Sequence, residues 1–363
     1  MNITIINKIK WKETYVVFLN EEYQEIKREV IEVSKNFVVT DAKFCYLTNN
    51  KKNTEIVILS DNISVLKFLY CSKTKKYKAD LQISNKLKYG KVDTFLIKDE
   101  KNLFYREDCM KVINVYTPSD YDSNKKYNIV IMFDSQNIFD KRKIGNYTKN
   151  NDPYGGWQVE TSLEYLYNNY IVVGIDNADK YRENELTPDV NDMEIKKYLT
   201  EMLGNIEGLY LDNLGDFINE TLIKFIKEKY SVNSDSFGIC GSSCGGLASL
   251  YLGLKNINRC DFIFTFTPAI GLLSKSLLER FLSNFKFNDD NQPFIFLFQG
   301  ENDDLERMLF NGNQYLKELL VKNGYYCNKI VEYFESSALH NEDAWRYAFN
   351  YAIDAYMKHI NGK

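Results

Sequence analysis

The chain has 363 residues, 44% hydrophobic and 26% charged, which is apolar mass for a packed core and length for two domains. Lysine and arginine total 46 against 50 acidic residues, a formal charge of −4, and this balance excludes the basic footprint of a nucleic-acid-binding protein. No apolar run reaches the ~18 residues that a membrane span requires. The opening segment, MNITIINKIKWKETYVVF, lacks the apolar core and small-residue cleavage site of a signal peptide. Seven cysteines, at 45, 71, 109, 240, 244, 260 and 327, form no C-x-x-C and have no histidine at ligand spacing, so no metal is expected. Free thiols in a reducing cytoplasm fit this pattern.

Up to residue 90 the chain carries short runs of β-formers, at 14–19, 37–40, 43–47, 55–59 and 64–70, broken by polar turns at 48–53 and 60–62. Such punctuation predicts a small β-sandwich over residues 1–90. The lysine-rich stretch 72–78 reads as a solvated face or a hairpin tip. From residue 91 the rhythm changes. Apolar strand-like runs at 112–116, 127–133, 170–175, 236–240, 261–266, 294–298 and 329–334 alternate with helical patterns at 160–167, 191–202, 210–229, 247–255, 306–322 and 342–358. Buried strands alternating with helices predict a doubly wound, mostly parallel sheet over residues 91–363. Ligands of such sheets bind at the carboxyl ends of strands.

The segment SFGICGSSCGGLASLYLGL runs an apolar strand into Gly241-Ser242-Ser243-Cys244-Gly245 and then into a helix. Alone, the pentapeptide also fits a turn that caps a helix. In this context it reads as a nucleophile elbow that exposes Ser243 at the end of a central strand, facing the positive end of a helix. A serine nucleophile needs a base, and the chain has only two histidines. His359 falls in the last turn of the final helix and reads as a surface residue there. His340 follows the last strand and precedes the last helix, at the same sheet edge as Ser243. An acid must hold the imidazole. Glu301, Asp303 and Asp304 compete for that role in the loop after 294–298, which keeps the chain order serine, acid, histidine.

Several motifs recur together: VYTPSDY (115–121), IMFDSQNIFD (131–140), GGWQVE (155–160), IVVGIDN (171–177) followed by Arg182, Glu185 and Thr187-Pro188, GSSCGG (241–246), GENDDL (300–305) and HNEDAWR (340–346). On these, residues 112–357 resemble the esterase D-like family of α/β-hydrolases. That family includes S-formylglutathione hydrolases, feruloyl and acetyl-xylan esterases, mycolyltransferases and enterochelin esterases. The resemblance implies an α/β-hydrolase fold and singles out Asp303 as the acid. It also implies an oxyanion hole built from the N–H groups of Gln136 and Cys244. Two departures stand in the first of these loops: Phe133 replaces a frequent histidine, and Ser135 replaces the glycine after Asp134, which loses backbone freedom. Trp157, Arg182 and Trp345 fall in pocket-side motifs and are candidates to line the substrate pocket, with structural packing as the alternative for the two aromatics.

The chemistry expected is acyl transfer. His340 takes the proton of Ser243, the oxyanion hole receives the developing charge, Asp303 fixes His340, and water completes turnover of a carboxylic ester without a cofactor. Activity should rise with pH, because only a neutral imidazole accepts the proton. The expected partner is a small-molecule ester, with no nucleic acid and no membrane. Two other readings stand open: acyl transfer to a sugar or alcohol, and a non-catalytic binding protein on the same scaffold. The N-terminal domain is expected to supply no triad member. Its role as a binding module, a lid or a dimerisation surface of a homo-oligomer is open.

Overall fold

The computed structural model describes residues 2–54, 56–59, 63–71, 76–83, 90–139, 156–167, 169–204, 206–287 and 292–362. The chain forms two compact units: Met1–Lys88 with Glu164–Leu166, and Tyr89–Leu163 with Tyr167–Lys363.

The first unit contains β1 (Asn2–Asn7), β2 (Tyr15–Leu19), β3 (Glu25–Val30), β4 (Ser34–Val38), β5 (Phe44–Thr48), β6 (Val57–Ile58), β7 (Ile63–Cys71) and β8 (Lys76–Ile83). They make two four-stranded sheets, ordered β4-β1-β7-β8 and β3-β2-β5-β6. Ile3, Ile5, Phe37, Leu66 and Phe68 of the first sheet share one core with Val16, Phe18, Cys45 and Leu47 of the second. This is the sandwich expected from the punctuated strands. On β2 the alternate residues Val17 and Leu19 are also buried, against Phe44 and Ile58. Burial on both faces explains why YVVFL is continuously apolar rather than alternating. The polar turn expected at 60–62 lies outside the described residues, as do 72–75 of the lysine-rich stretch. Residues 76–78 of that stretch belong to β8, which pairs antiparallel with β7.

The second unit is built on eight strands: β9 (Lys91–Lys98), β10 (Met110–Thr117), β11 (Tyr127–Phe133), β12 (Tyr170–Ile175), β13 (Val232–Ser242), β14 (Cys260–Phe266), β15 (Phe294–Gly300) and β16 (Ile330–Glu335). Their order is β16-β15-β14-β13-β11-β12-β10-β9. The ladders from β12 through β16 are parallel, and β10 pairs antiparallel with both β12 and β9. The helices are α1 (Val159–Leu166), α2 (Met193–Met202), α3 (running from Leu211–Asp216 through a wide π turn to Ile223–Lys229), α4 (Cys244–Lys255), α5 (Lys275–Leu282), α6 (Asp304–Asn313), α7 (Leu316–Lys322) and α8 (Glu342–Asn361). The pattern read as one helix over 306–322 is therefore two, α6 and α7.

Ile131, Val173, Ile239, Ile263 and Ile295 share a buried cluster with Leu214 and Phe217 of α3, Leu247 and Leu250 of α4 and Leu278 of α5. The opposite face of the sheet is aromatic. Phe262, Phe264 and Phe266 alternate along β14, and Tyr356 of α8 packs on Phe262 with ring centres 4.7 Å apart. Both faces are thus covered, which leaves the carboxyl ends of the strands as the place where loops and helix termini meet. Among the described residues no helix is long and apolar enough to cross a membrane. Cys45, Cys109, Cys240, Cys244, Cys260 and Cys327 are free thiols.

Polar groups also enter this core. Lys111 of β10 and Glu185 form an ion pair, each side chain only 1% exposed. The Tyr105 hydroxyl donates to the same carboxylate at 2.7 Å. Burial pushes the Lys111 amine below its ordinary range while Glu185 pulls it back. Removing one partner strands the other charge in a dry environment, at a typical cost of about 3–5 kcal/mol. Lys111→Met should lose stability on that scale in denaturant unfolding, and Lys111→Met with Glu185→Gln should recover part of it.

Candidate active site

β13 ends and α4 begins with a single residue between them. Ser243 sits there at φ 55°, ψ −122°, a conformation that side chains other than glycine's rarely adopt. Three backbone hydrogen bonds hold it. Its N–H donates to the Phe266 carbonyl at 2.9 Å, and its carbonyl accepts from Leu247 at 3.0 Å and Ala269 at 2.8 Å. A side chain on Gly241 would begin 2.4 Å from the Gly245 carbonyl oxygen, so glycine there is what allows the first turn of α4 to fold back on β13. The elbow expected from the sequence is present, and α4 points its amino terminus at Ser243.

The histidine expected to act as base comes from the far edge of the sheet. His340 lies between β16 and α8, its side chain 12% exposed. The Trp345 ring meets it edge-on at 5.0 Å. Trp345 is in turn tied to the sheet, donating from Nε1 to the Thr267 hydroxyl at 3.3 Å. His359 is elsewhere: it packs on Phe294, at the amino end of β15, with ring centres 5.2 Å apart.

The carboxylate on the imidazole is not the expected one. His340 Nδ1 lies 2.9 Å from Oε1 of Glu306, whose side chain is fully buried. The other oxygen, Oε2, accepts from Gln299 Nε2 at 2.8 Å and from the Gly300 N–H at 3.0 Å. Gln299 is itself held by Asn313 Nδ2 at 2.8 Å. Asp303 has a different job. Its Oδ1 caps α6 by accepting from the Glu306 N–H at 2.8 Å, and its Oδ2 accepts from the His340 backbone N–H at 2.7 Å. It therefore binds the main chain of both residues and leaves the ring to Glu306. Asp304 pairs with Arg307 at 2.6 Å on the surface. Sequence reasoning stopped at the loop and missed Glu306, one turn into the helix. The available signal was the Asp-x-x-Glu capping pattern from 303 to 306, which places Glu306 at the helix start.

On the other side of Ser243, β11 leads into Asp134 at φ 55°, ψ 47° and a tight turn over Ser135–Asn137. Arg182 grips Asp134 with both arms, Nε to Oδ1 at 2.6 Å and Nη2 to Oδ2 at 2.8 Å. Asn177 adds a third bond at 3.0 Å. Burial works against the Asp134 charge, but Arg182 outweighs it and holds the carboxyl below its usual range. Among the described residues nothing accepts a hydrogen bond from the N–H of Gln136 or of Cys244. The Cys244 thiol is pushed up by burial despite the neighbouring Arg182.

The three pocket candidates are structural in their contacts. Arg182 is committed to Asp134. Trp157 is 3% exposed and packs between Phe266 and Trp345, at 5.0 and 5.7 Å. Trp345 supports His340. Among the described residues no group of three or more histidine, cysteine, aspartate or glutamate side chains could hold a metal ion.

The family described as "Putative esterase" matches residues 107–353. No curated protein matches the chain. Among solved structures, the siderophore hydrolase EstB from Aspergillus nidulans is similar at 16% identity, with 73% of this chain and 94% of that chain covered and a TM-score of 0.52. The enterobactin and salmochelin hydrolase IroE is similar at 10% identity, covering 74% of this chain and 96% of that one, with a TM-score of 0.51. The ferric enterobactin esterase of Salmonella typhimurium is similar at 11% identity, covering 97% of this chain and 90% of that one, with a TM-score of 0.53. At such identities the likeness speaks for the fold, and the match over residues 107–353 speaks for the family. The chain thus belongs to that esterase family, has the α/β-hydrolase fold, and is a carboxylic ester hydrolase.

Proposed function

We propose that the protein cleaves its ester through an acyl-enzyme on Ser243, with His340 as general base and Glu306 as the acid that orients it. The observation that carries this reading is the 2.9 Å contact between His340 Nδ1 and a buried, hydrogen-bonded Glu306. With Nδ1 engaged by a carboxylate, Nε2 is the nitrogen left to accept the serine proton. Ser243 Oγ attacks the carbonyl carbon as its proton passes to His340. The carbonyl oxygen becomes an oxyanion between the N–H groups of Gln136 and Cys244, each donor worth about 3–4 kcal/mol to the transition state. His340 then protonates the departing alcohol, and water repeats the sequence on the acyl-enzyme.

For the substrate we favour a siderophore-type ester of hydroxy-acid units. The support is that the likeness to the ferric enterobactin esterase extends over 97% of this chain, including its N-terminal unit. The first unit is then an accessory domain that supplies no triad member. Rates on aryl acetates, feruloyl esters, acetylated sugars and catecholate trilactones should rank the trilactone first by kcat/KM; a feruloyl ester or acetylated sugar ranking first would redirect the assignment. If the enzyme transfers acyl groups instead, added sugars or alcohols will divert product from the free acid.

Ser243→Ala should lower kcat by a factor on the order of 10³ or more and leave thermal unfolding intact. Glu306→Gln should cost a factor on the order of 10⁴ in kcat, because the amide no longer enforces the required tautomer. Asp303→Asn should cost less than about tenfold, since asparagine caps helices as well as aspartate does. The reverse ranking of these two variants would return the acid role to Asp303. His340→Gln should abolish the rate, and His359→Gln should leave it unchanged.

A further inference from the structure

Ser135 stands one residue before the Gln136 N–H and is fully buried. Its side chain points away from the catalytic loop, into the sheet. A side chain on Gly174 of β12 would begin 2.5 Å from Ser135 Cβ, so the serine occupies a notch in that strand. Its hydroxyl accepts from Asn114 Nδ2 of β10 at 2.9 Å and donates to the Asp176 carboxylate just beyond β12. Asn114 Nδ2 also reaches Asp176 Oδ1 at 2.9 Å, which closes a three-membered ring of hydrogen bonds. Asn114 is completely buried, so this ring works in a dry, weakly screened environment. The residue on the other side, Asp134, is locked by Arg182 and Asn177. The turn that carries Gln136 is therefore pinned at two adjacent residues, Asp134 to the segment after β12 and Ser135 to β10 and Asp176, and a fixed donor is what an oxyanion hole needs.

We propose that Ser135 is a positioning residue of the esterase. Its hydroxyl, tied to Asn114 and Asp176, aims the Gln136 N–H at the developing oxyanion. This rests on the acyl-enzyme reading above. The glycine that its position invites would leave the turn free to swing, and the serine replaces that freedom with hydrogen bonds to two strands. Ser135 itself touches no substrate, so its removal should weaken transition-state stabilisation and leave ground-state binding alone.

The test uses the full-length protein and an aryl acetate, with sites counted by labelling Ser243 to completion with a fluorophosphonate. Turnover is expressed per labelled site, so a merely misfolded fraction does not register. A second readout is the affinity of an aryl trifluoromethyl ketone. Ser243 Oγ adds to its carbonyl carbon, the serine proton passes to His340, and the carbonyl oxygen becomes an anion in the hole. Ser135→Ala should lower kcat per site about tenfold or more, short of the 10²–10³ lost with a whole donor. Ketone affinity should weaken by a similar factor and KM should stay within about twofold. Asp176→Ala, which removes the anchor rather than the hydroxyl, should show the same split and serves if the first variant does not fold. Unchanged kcat and ketone affinity, or a change confined to KM, would overturn the proposal. A dead Ser243→Ala beside such a result overturns the positioning role alone. Turnover surviving in Ser243→Ala overturns both readings.

Discussion

Everything at this site depends on the chain passing from strand to helix through one residue. Ser243 pays a conformational penalty, of order 1–3 kcal/mol for such a backbone, and three backbone hydrogen bonds keep it in place. The consequence is geometric. The backbone of Ser243 binds Phe266 and Ala269, so the end of β14 is fixed to the elbow. Thr267, next along, takes a positive φ of 44° and bonds Phe298 of β15. Trp345 docks on Thr267, and His340 leans on Trp345. The elbow is thus linked through Thr267 and Trp345 to His340, which follows β16, three strands along the sheet.

Legibility in the sequence followed burial. The central strands β10–β15 carry long apolar runs because both sheet faces are covered, and those runs stand out. β3, β8 and β9 do not. Each is an edge strand: EIKREV and KVDTFLIK are largely exposed, and KYKADLQI is dense in charge. Charged edges keep a sheet from pairing with another chain, and the same charges erase the apolar signal by which strands are recognised. The break between α6 and α7 was invisible for a different reason, since the apolar pattern continues past the turn at Gln314.

The site divides the same way. Ser243 and His340 were legible because a strained turn demands glycines and because histidine is scarce in this chain. Glu306 was not. An acid in the first turn of a helix is what the helix dipole favours anyway, so its charge reads as ordinary capping. Its distinction is tertiary. Gln299, Gly300 and His340, from β15 and the loop before α8, converge on it. Asp303 attracted the assignment by position, and the position is meaningful, because Asp303 anchors both neighbours of the reaction. Arg182 and Trp157 are motif residues whose contacts within the protein hold loops in place: Arg182 binds Asp134, and Trp157 packs on Phe266 and Trp345.

Asp303 uses its two oxygens on two different parts of the chain. One holds the main chain of Glu306 and the other the main chain of His340. Glu306 lies in α6 and His340 in the loop before α8, yet a single side chain indexes them to each other. Glu306 is itself fastened to β15 through Gln299 and Gly300, so the loop after β16 is tied back to that strand at two points, and the 2.9 Å contact sits inside this frame.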